Sequence, residues 1–150
     1  MNELSRTQEQ NRQAILRAEE ALLTLPQLKM EAKHYFAEGL CARELLMKAS
    51  DIEGSVAVYT GKIHLKDHLV VIPYGHVTVA DNDGTKTFKG PCTFVGKAGS
   101  KRALMVHEDT LWIAIHASNA TTQEEAEATL VSNDYEDFLK IQEKRKCLIS

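Results

Sequence analysis

His64 and His68 are separated only by Leu65, Lys66 and Asp67, and five of the chain's six histidines (His64, His68, His76, His107 and His116) fall in the middle of the sequence. A neutral imidazole offers one lone pair, which suits Zn, Fe, Ni or Mn. If a tight bend joins the ends of two strands here, both rings face a barrel interior and reach one ion. Val70 and Ile72 share the parity of His68, which favours an inward ring, although Leu69 and Val71 are apolar too. Two imidazoles make an incomplete ligand set. His107 or His116 is expected to supply a further donor. His107, Glu108 and Asp109 form a polar cluster that either completes such a site or caps a turn. The competing reading treats all of these as ordinary strand histidines, hydrogen-bonded or solvated.

A cationic set lies in the same region. Between residues 60 and 105 there are seven basic residues (Lys62, Lys66, Lys86, Lys89, Lys97, Lys101, Arg102) against three acids (Asp67, Asp81, Asp83). Arg102 shares parity with Leu104 and Val106 and is expected to point inward, where a guanidinium needs an anionic partner. That partner is either a ligand or an internal carboxylate, with Asp67, Glu108 and Asp109 as candidates. Trp112, Ala114 and His116 share one face of a strand and offer a flat wall for a ring or base, or else Trp112 simply closes a core. Lys62, Lys101, Arg102, Trp112 and His116 are therefore the candidate ligand-binding residues. Cys41 and Cys92 read as small core residues. No G-x-S-x-G, Walker-A or dinucleotide-binding glycine pattern is present, so no catalytic residue is assigned.

The elements that must position these residues fall into three segments, 1–26, 27–117 and 118–150. Ser5 to Leu25 reads as an amphipathic helix, with a Thr7/Gln10 capping box, Ile15, Ala18, Leu22 and Leu25 on one face, and Pro26 as the stop. Gln27 to Ala49 reads as mostly extended, although Ala42 to Lys48 has helical propensity. Seven short strands follow: Ser55–Tyr59, Leu69–Ile72, His76–Ala80, Thr85–Phe88, Cys92–Val95, Arg102–Val106 and Leu111–His116. Asp81-Asn82-Asp83-Gly84 marks a hairpin whose Gly and Asx residues accept positive φ. Such spacing predicts an antiparallel sandwich or jelly-roll barrel. After Ala117 the chain turns helical, with a Thr122/Glu125 capping box and an apolar stripe of Tyr135, Phe138 and Leu139.

Composition bounds the rest. A chain of 150 residues with 43% hydrophobic content supports one core. The net charge of -3 gives no basic field for bulk nucleic-acid binding. No apolar run reaches the ~20 residues of a membrane span, and the polar start carries no signal-peptide stretch, so a soluble, unexported protein is expected. Cys41, Cys92 and Cys147 draw neither a disulfide framework nor a zinc pattern, which fits a reducing compartment. Cys147-Leu148-Ile149-Ser150, preceded by Lys144, Arg145 and Lys146, satisfies a prenylation pattern, with a frayed basic helix end as the alternative.

His64-x3-His68-x6-Gly75 resembles the second half of the first cupin motif, G-x5-H-x-H-x3,4-E-x6-G, with the last Gly in register. His68 stands where cupins place Glu, and Lys62 at the first His. Gly96 to Arg102 is similar to the second motif, P-x-G-x2-H, with Lys97 for Pro and Arg102 for the metal His. Of these ligand positions only His64 is as the family has it. The resemblance covers about Gly54 to Ala117 and implies a mainly β cupin-like jelly roll with helices at both ends, in which Ala42 to Leu46 becomes a strand. Further phrases (His34-Tyr35-Phe36-Ala37, Cys41-Ala42-Arg43-Glu44, Gly61-Lys62-Ile63-His64, Gly99-Ser100-Lys101-Arg102, His107 to Trp112) look like small cupin-like proteins of tailed bacteriophages. That likeness implies a host without prenyltransferases, and a homo-oligomer in the host cytoplasm or the virion. The expected role is a non-enzymatic binding or accessory protein, either contacting phage virion proteins or holding a small anionic host metabolite such as a nucleotide. The alternative is a metal-dependent cupin enzyme using His64 and His68 with a divalent Zn, Fe, Ni or Mn.

Overall fold

The computed structural model describes residues 4–27 and 30–149, and the side chains of 145–149 lie outside the description. The prenylation pattern at Cys147 therefore falls outside the described residues. The first helix is α1 (Arg6–Leu22), followed by β1 (Ala32–Ala37), β2 (Leu40–Met47), β3 (Ala57–Thr60), β4 (Ile63–His64) and β5 (His68–Ile72). Then come β6 (His76–Asp81), β7 (Gly84–Lys89), β8 (Cys92–Gly96), β9 (Ala103–Glu108) and β10 (Thr110–Ala117). The chain closes with α2 (Gln123–Leu130), β11 (Val131–Ser132) and α3 (Tyr135–Ile149).

Two antiparallel sheets carry the architecture, one ordered β1-β2-β10-β5-β8 and the other β3-β9-β6-β7. Apart from β1 and the short β4, the strands from β2 to β10 pair from the outside inwards: β2 with β10, β3 with β9, β5 with β8, β6 with β7. That nesting is one long hairpin rolled into a jelly roll. Val70, Ile72, Val77, Val79, Leu104, Val106 and Trp112 fill the space between the sheets.

All seven expected strands form, with ends shifted by a residue or two. Gln27 to Ala49 supplies β1 and β2. The helical propensity of Ala42 to Lys48 is overridden because Cys41, Leu45 and Met47 are buried with a period of two. In the β6–β7 hairpin only Gly84 has positive φ (116°). Asn82 and Asp83 stay at negative φ, contrary to expectation, because an Asp81 carboxylate accepting from Asp83 N shapes the turn. The pair β4–β11 has no counterpart in the sequence reading: two-residue strands carry no periodicity, and β11 interrupts the C-terminal helical run.

The cap of α1 is Ser5, not Thr7: Ser5 Oγ accepts from Gln8 N while Gln8 Oε1 accepts from Ser5 N. Both S/T-x-x-Q phrases qualify, and the helix extends to the earlier one. It stops at Leu22, and Leu25, expected on the apolar face, is 56% exposed, since the residue before Pro26 disfavours helix. Ile15 is buried, Asn11 donates to the Asn82 carbonyl (2.9 Å), and Glu19 accepts from buried Lys101 (2.7 Å). Glu19→Ala leaves an enclosed ammonium unpaired and is expected to lower unfolding free energy by about 2 kcal/mol, read as a fall in urea midpoint.

Candidate functional site

The register of the five-stranded sheet sets the floor of the site. Cys41 lies opposite His116, Arg43 opposite Ala114, and Leu45 opposite Trp112. His34 lies opposite Arg43 on the other side. Side chains alternate along a strand, so these residues share the inner face in rows running from imidazoles to apolar groups. The bend expected between His64 and His68 is present as the step from β4 to β5. It brings His64 onto the β5 ring, while the pairing of β5 with β10 sets His116 beside both.

The three rings stack, with centroids 4.1 Å (His64–His68), 4.6 Å (His68–His116) and 5.4 Å (His64–His116) apart. One nitrogen from each lies within 4.8 Å of the others. His68 Nδ1 donates to the Lys66 carbonyl at 3.0 Å, because a carbonyl can only accept. Its Nε2 is thereby left with a lone pair, and Arg102 Nη2 donates to it at 3.1 Å. His64 Nδ1 and His116 Nε2 are 3.2 Å apart and share one proton between them.

Electrostatics keep the rings neutral. Burial is the main cause in each case, reinforced by the Arg102 guanidinium. It holds His64 far below the ordinary histidine range, lowers His68, and brings His116 to about 4. Burial also brings Arg102 down to about 10, still protonated at neutral pH. Arg102 is 6% exposed, as its parity suggested, yet none of the expected carboxylates meets it. Asp67 accepts from Ala98 N and faces Lys97, and Asp109 accepts from Ala49 N and Lys48, while Glu108 is exposed. Among the described residues Arg102 has no salt bridge. Arg43 Nε is likewise buried with no hydrogen-bond partner among them.

Gly96 makes the Arg102–His68 contact possible, since a Cβ there would collide with Arg102 Nη2 and His68 Nε2. Gly96→Ala is expected to cost about 2 kcal/mol through forced side-chain movement, seen as a lower melting temperature.

A cavity of about 240 Å³ opens on this group. Arg43, Lys62, His64, Arg102 and His116 line its polar end, Leu45, Met47, Leu104 and Trp112 its apolar end, and Ala126, Glu127 and Leu130 of α2 its rim. Trp112 belongs to the core cluster and also lines the cavity, its ring 5.8 Å from the Arg102 guanidinium. Lys62 is exposed at the mouth. Lys101 is engaged by Glu19, away from the cavity lining. His107 lies on the exposed face of the other sheet, against His76 (4.7 Å) and hydrogen-bonded to Thr78 (2.7 Å), so it does not join the three imidazoles. Arg43, His34 and Glu127 were not anticipated, although Arg43 shares parity with Cys41, Leu45 and Met47.

No protein-family model and no curated protein sequence matches the chain significantly. Solved structures do. Ectoine synthase from P. lautus aligns with a TM-score of 0.50 and 13% identity, over 72% of this chain and 78% of that one. A cupin superfamily protein from Desulfitobacterium hafniense aligns at 0.49 with 9% identity, over 65% and 84%. A cupin-2 domain containing protein from Shewanella frigidimarina aligns at 0.47 with 11% identity, over 71% and 98%. At such identities the likeness is one of fold. The chain is a mainly β protein with a cupin-like jelly roll and helices at both ends.

Proposed function

We propose that the barrel is a binding pocket for a small anionic molecule, seated between Arg102 and Arg43 against the neutral rings of His64 and His116, with no reaction of its own. One observation carries this reading: Arg102 is enclosed, charged, and in no salt bridge among the described residues, with the Asp81 carboxylate acting on it only at longer range. A buried guanidinium in that state is costly until an anion joins it. Protein purified without denaturation and then unfolded is expected to release a stoichiometric small anion, detected by mass spectrometry. Titration with candidate anions is expected to lose at least tenfold in affinity in Arg102→Met, and equal binding to both forms would remove the proposal.

A second reading is favoured by the three clustered imidazoles, which fit a divalent metal as neutral nitrogen donors. His68 Nδ1–H on the Lys66 carbonyl is the kind of outer contact that orients a metal-binding ring. The metal would supply Lewis-acid chemistry to a substrate in the cavity. Elemental analysis of protein prepared without chelator distinguishes this enzyme-like reading.

An origin in a tailed bacteriophage, with the protein in the host cytoplasm or on the virion, belongs to the same proposal. It is supported by the sequence phrases around His34, Cys41, Gly61, Gly99 and His107, and is checked by probing purified virions. Self-association is supported by the outer face of the five-stranded sheet. There Tyr35, Ala42, Ile115, Leu69 and Val95 form one apolar row across all five strands. Tyr35 and Val95 are each 54% exposed. Five strands at ~4.8 Å spacing and about eight residues at ~3.3 Å give roughly 600 Å² per copy, near the ~800 Å² of a standard interface. Leu69→Lys is expected to convert an oligomer to monomer in light scattering.

A further inference from the structure

We infer that the anion is a monocarboxylate with an apolar or aromatic body, its carboxylate at Arg102 and its body along Trp112 and Leu104. This rests on the binding reading above and goes further by naming the ligand class. The charge at the site selects the head group. Glu127 stands at the rim with Arg43 and Lys62, and Arg102 is the one nine-tenths buried cation lining the cavity among the described residues. Glu127 acts on Arg43 and offsets its charge, which leaves Arg102 as the enclosed positive charge for the head group; that matches a monoanion, whereas a phosphate monoester brings about -1.5 to -2 at neutral pH. The planar guanidinium also fits a carboxylate in two-point fashion.

The far end selects the body. Beyond Arg102 the walls are Leu45, Met47, Leu104 and Trp112, and the Tyr59 hydroxyl, which also borders the cavity, is already donated to the Lys48 carbonyl at 2.7 Å. Sugar or ribose hydroxyls placed against those four apolar side chains would lose water without gaining partners from them. The volume of about 240 Å³ lies below the ~300 Å³ lower end of drug-sized sites, which suits a small acid better than a nucleotide. Trp112 adds a flat wall on which an aromatic ring can lie.

The test is a calorimetric titration of the intact protein with acetate, butyrate, hexanoate and phenylacetate, alongside hexanol, inorganic phosphate and adenosine monophosphate. Affinity is expected to rise about fourfold per buried methylene from acetate to hexanoate. Hexanol should bind at least tenfold more weakly than hexanoate. Arg102→Met should abolish the difference between the two. The ligand series on the unaltered protein stands even if that variant folds poorly. Phosphate or the nucleotide binding more tightly than every carboxylate would overturn the ligand class and leave the anion reading intact. A flat series among the carboxylates would likewise overturn the apolar body alone. If no anion binds, or hexanol binds as well as hexanoate, both readings fall.

Discussion

Arg102→Met is expected to raise the affinity of the three-imidazole cluster for Zn²⁺ by at least ~100-fold over the unaltered protein. Arg102 Nη2 donates to His68 Nε2 at 3.1 Å, so the guanidinium occupies the lone pair that a metal would need. It also brings a positive charge to that nitrogen. Two unit charges 4 Å apart repel by about 4 kcal/mol under the screening usual for proteins, and a divalent ion doubles this. Even partial relief of that repulsion exceeds the ~2.7 kcal/mol that a hundredfold change represents. Methionine keeps an unbranched stem beside Trp112 while removing the charge and the donor. Chelator competition, with circular dichroism to confirm folding, measures the change. Equal Zn²⁺ affinity in both forms would mean that Arg102 does not control the cluster, and would favour the metal reading. The same variant should weaken anion binding, so one substitution moves two ligands in opposite directions.

The site was legible where local spacing and strand parity determine it, and illegible where it depends on distant chain. His64 and His68 were drawn together by a three-residue spacer, and His116 was placed inward by its parity with Ala114 and Trp112. The same parity turned Arg102 inward. Arg43 obeys the rule too, within Cys41-x-Arg43-x-Leu45-x-Met47, but a cation among the inward apolar residues, in a stretch of helical propensity, conceals the alternation. His107 also belongs to a strand, yet it has the parity of exposed Met105, and so turns away from the site. Lys101 and Arg102 are adjacent and both buried, but Lys101 meets Glu19 across 82 residues of sequence. No local pattern encodes that encounter. Glu127 reaches the rim only because β11 pairs with β4 and fixes α2, and neither strand is long enough to show a period.

Lowering the pH from 6.5 towards 4 is expected to destabilise the protein steeply, with the imidazole cluster as the cause. An unfolded histidine takes up a proton near 6.5. In the folded chain His116 does so only at about 4, because burial and the nearby His68, Arg102, Lys66 and Arg43 oppose the charge. His64 is held lower still and His68 is lowered as well. Across that window the unfolded state binds more protons than the folded state, so stability falls as pH falls. Above 6.5 the rings are neutral in both states and the stability is fully present. His116 alone accounts for about 3 kcal/mol lost by pH 4. The exposed acids Asp109 and Glu127 also have lowered values: Glu127, ordinarily near 4.5, adds to the loss at the acid end of this window, and Asp109 acts mainly below it. Urea unfolding at half-unit pH steps separates the contributions. His116→Gln should reduce the slope by close to one proton. An unaltered slope in His116→Gln would show that this imidazole is free to charge in the folded barrel. An anion beside Arg102 would favour the protonated rings, so adding a bound carboxylate should flatten the same curve.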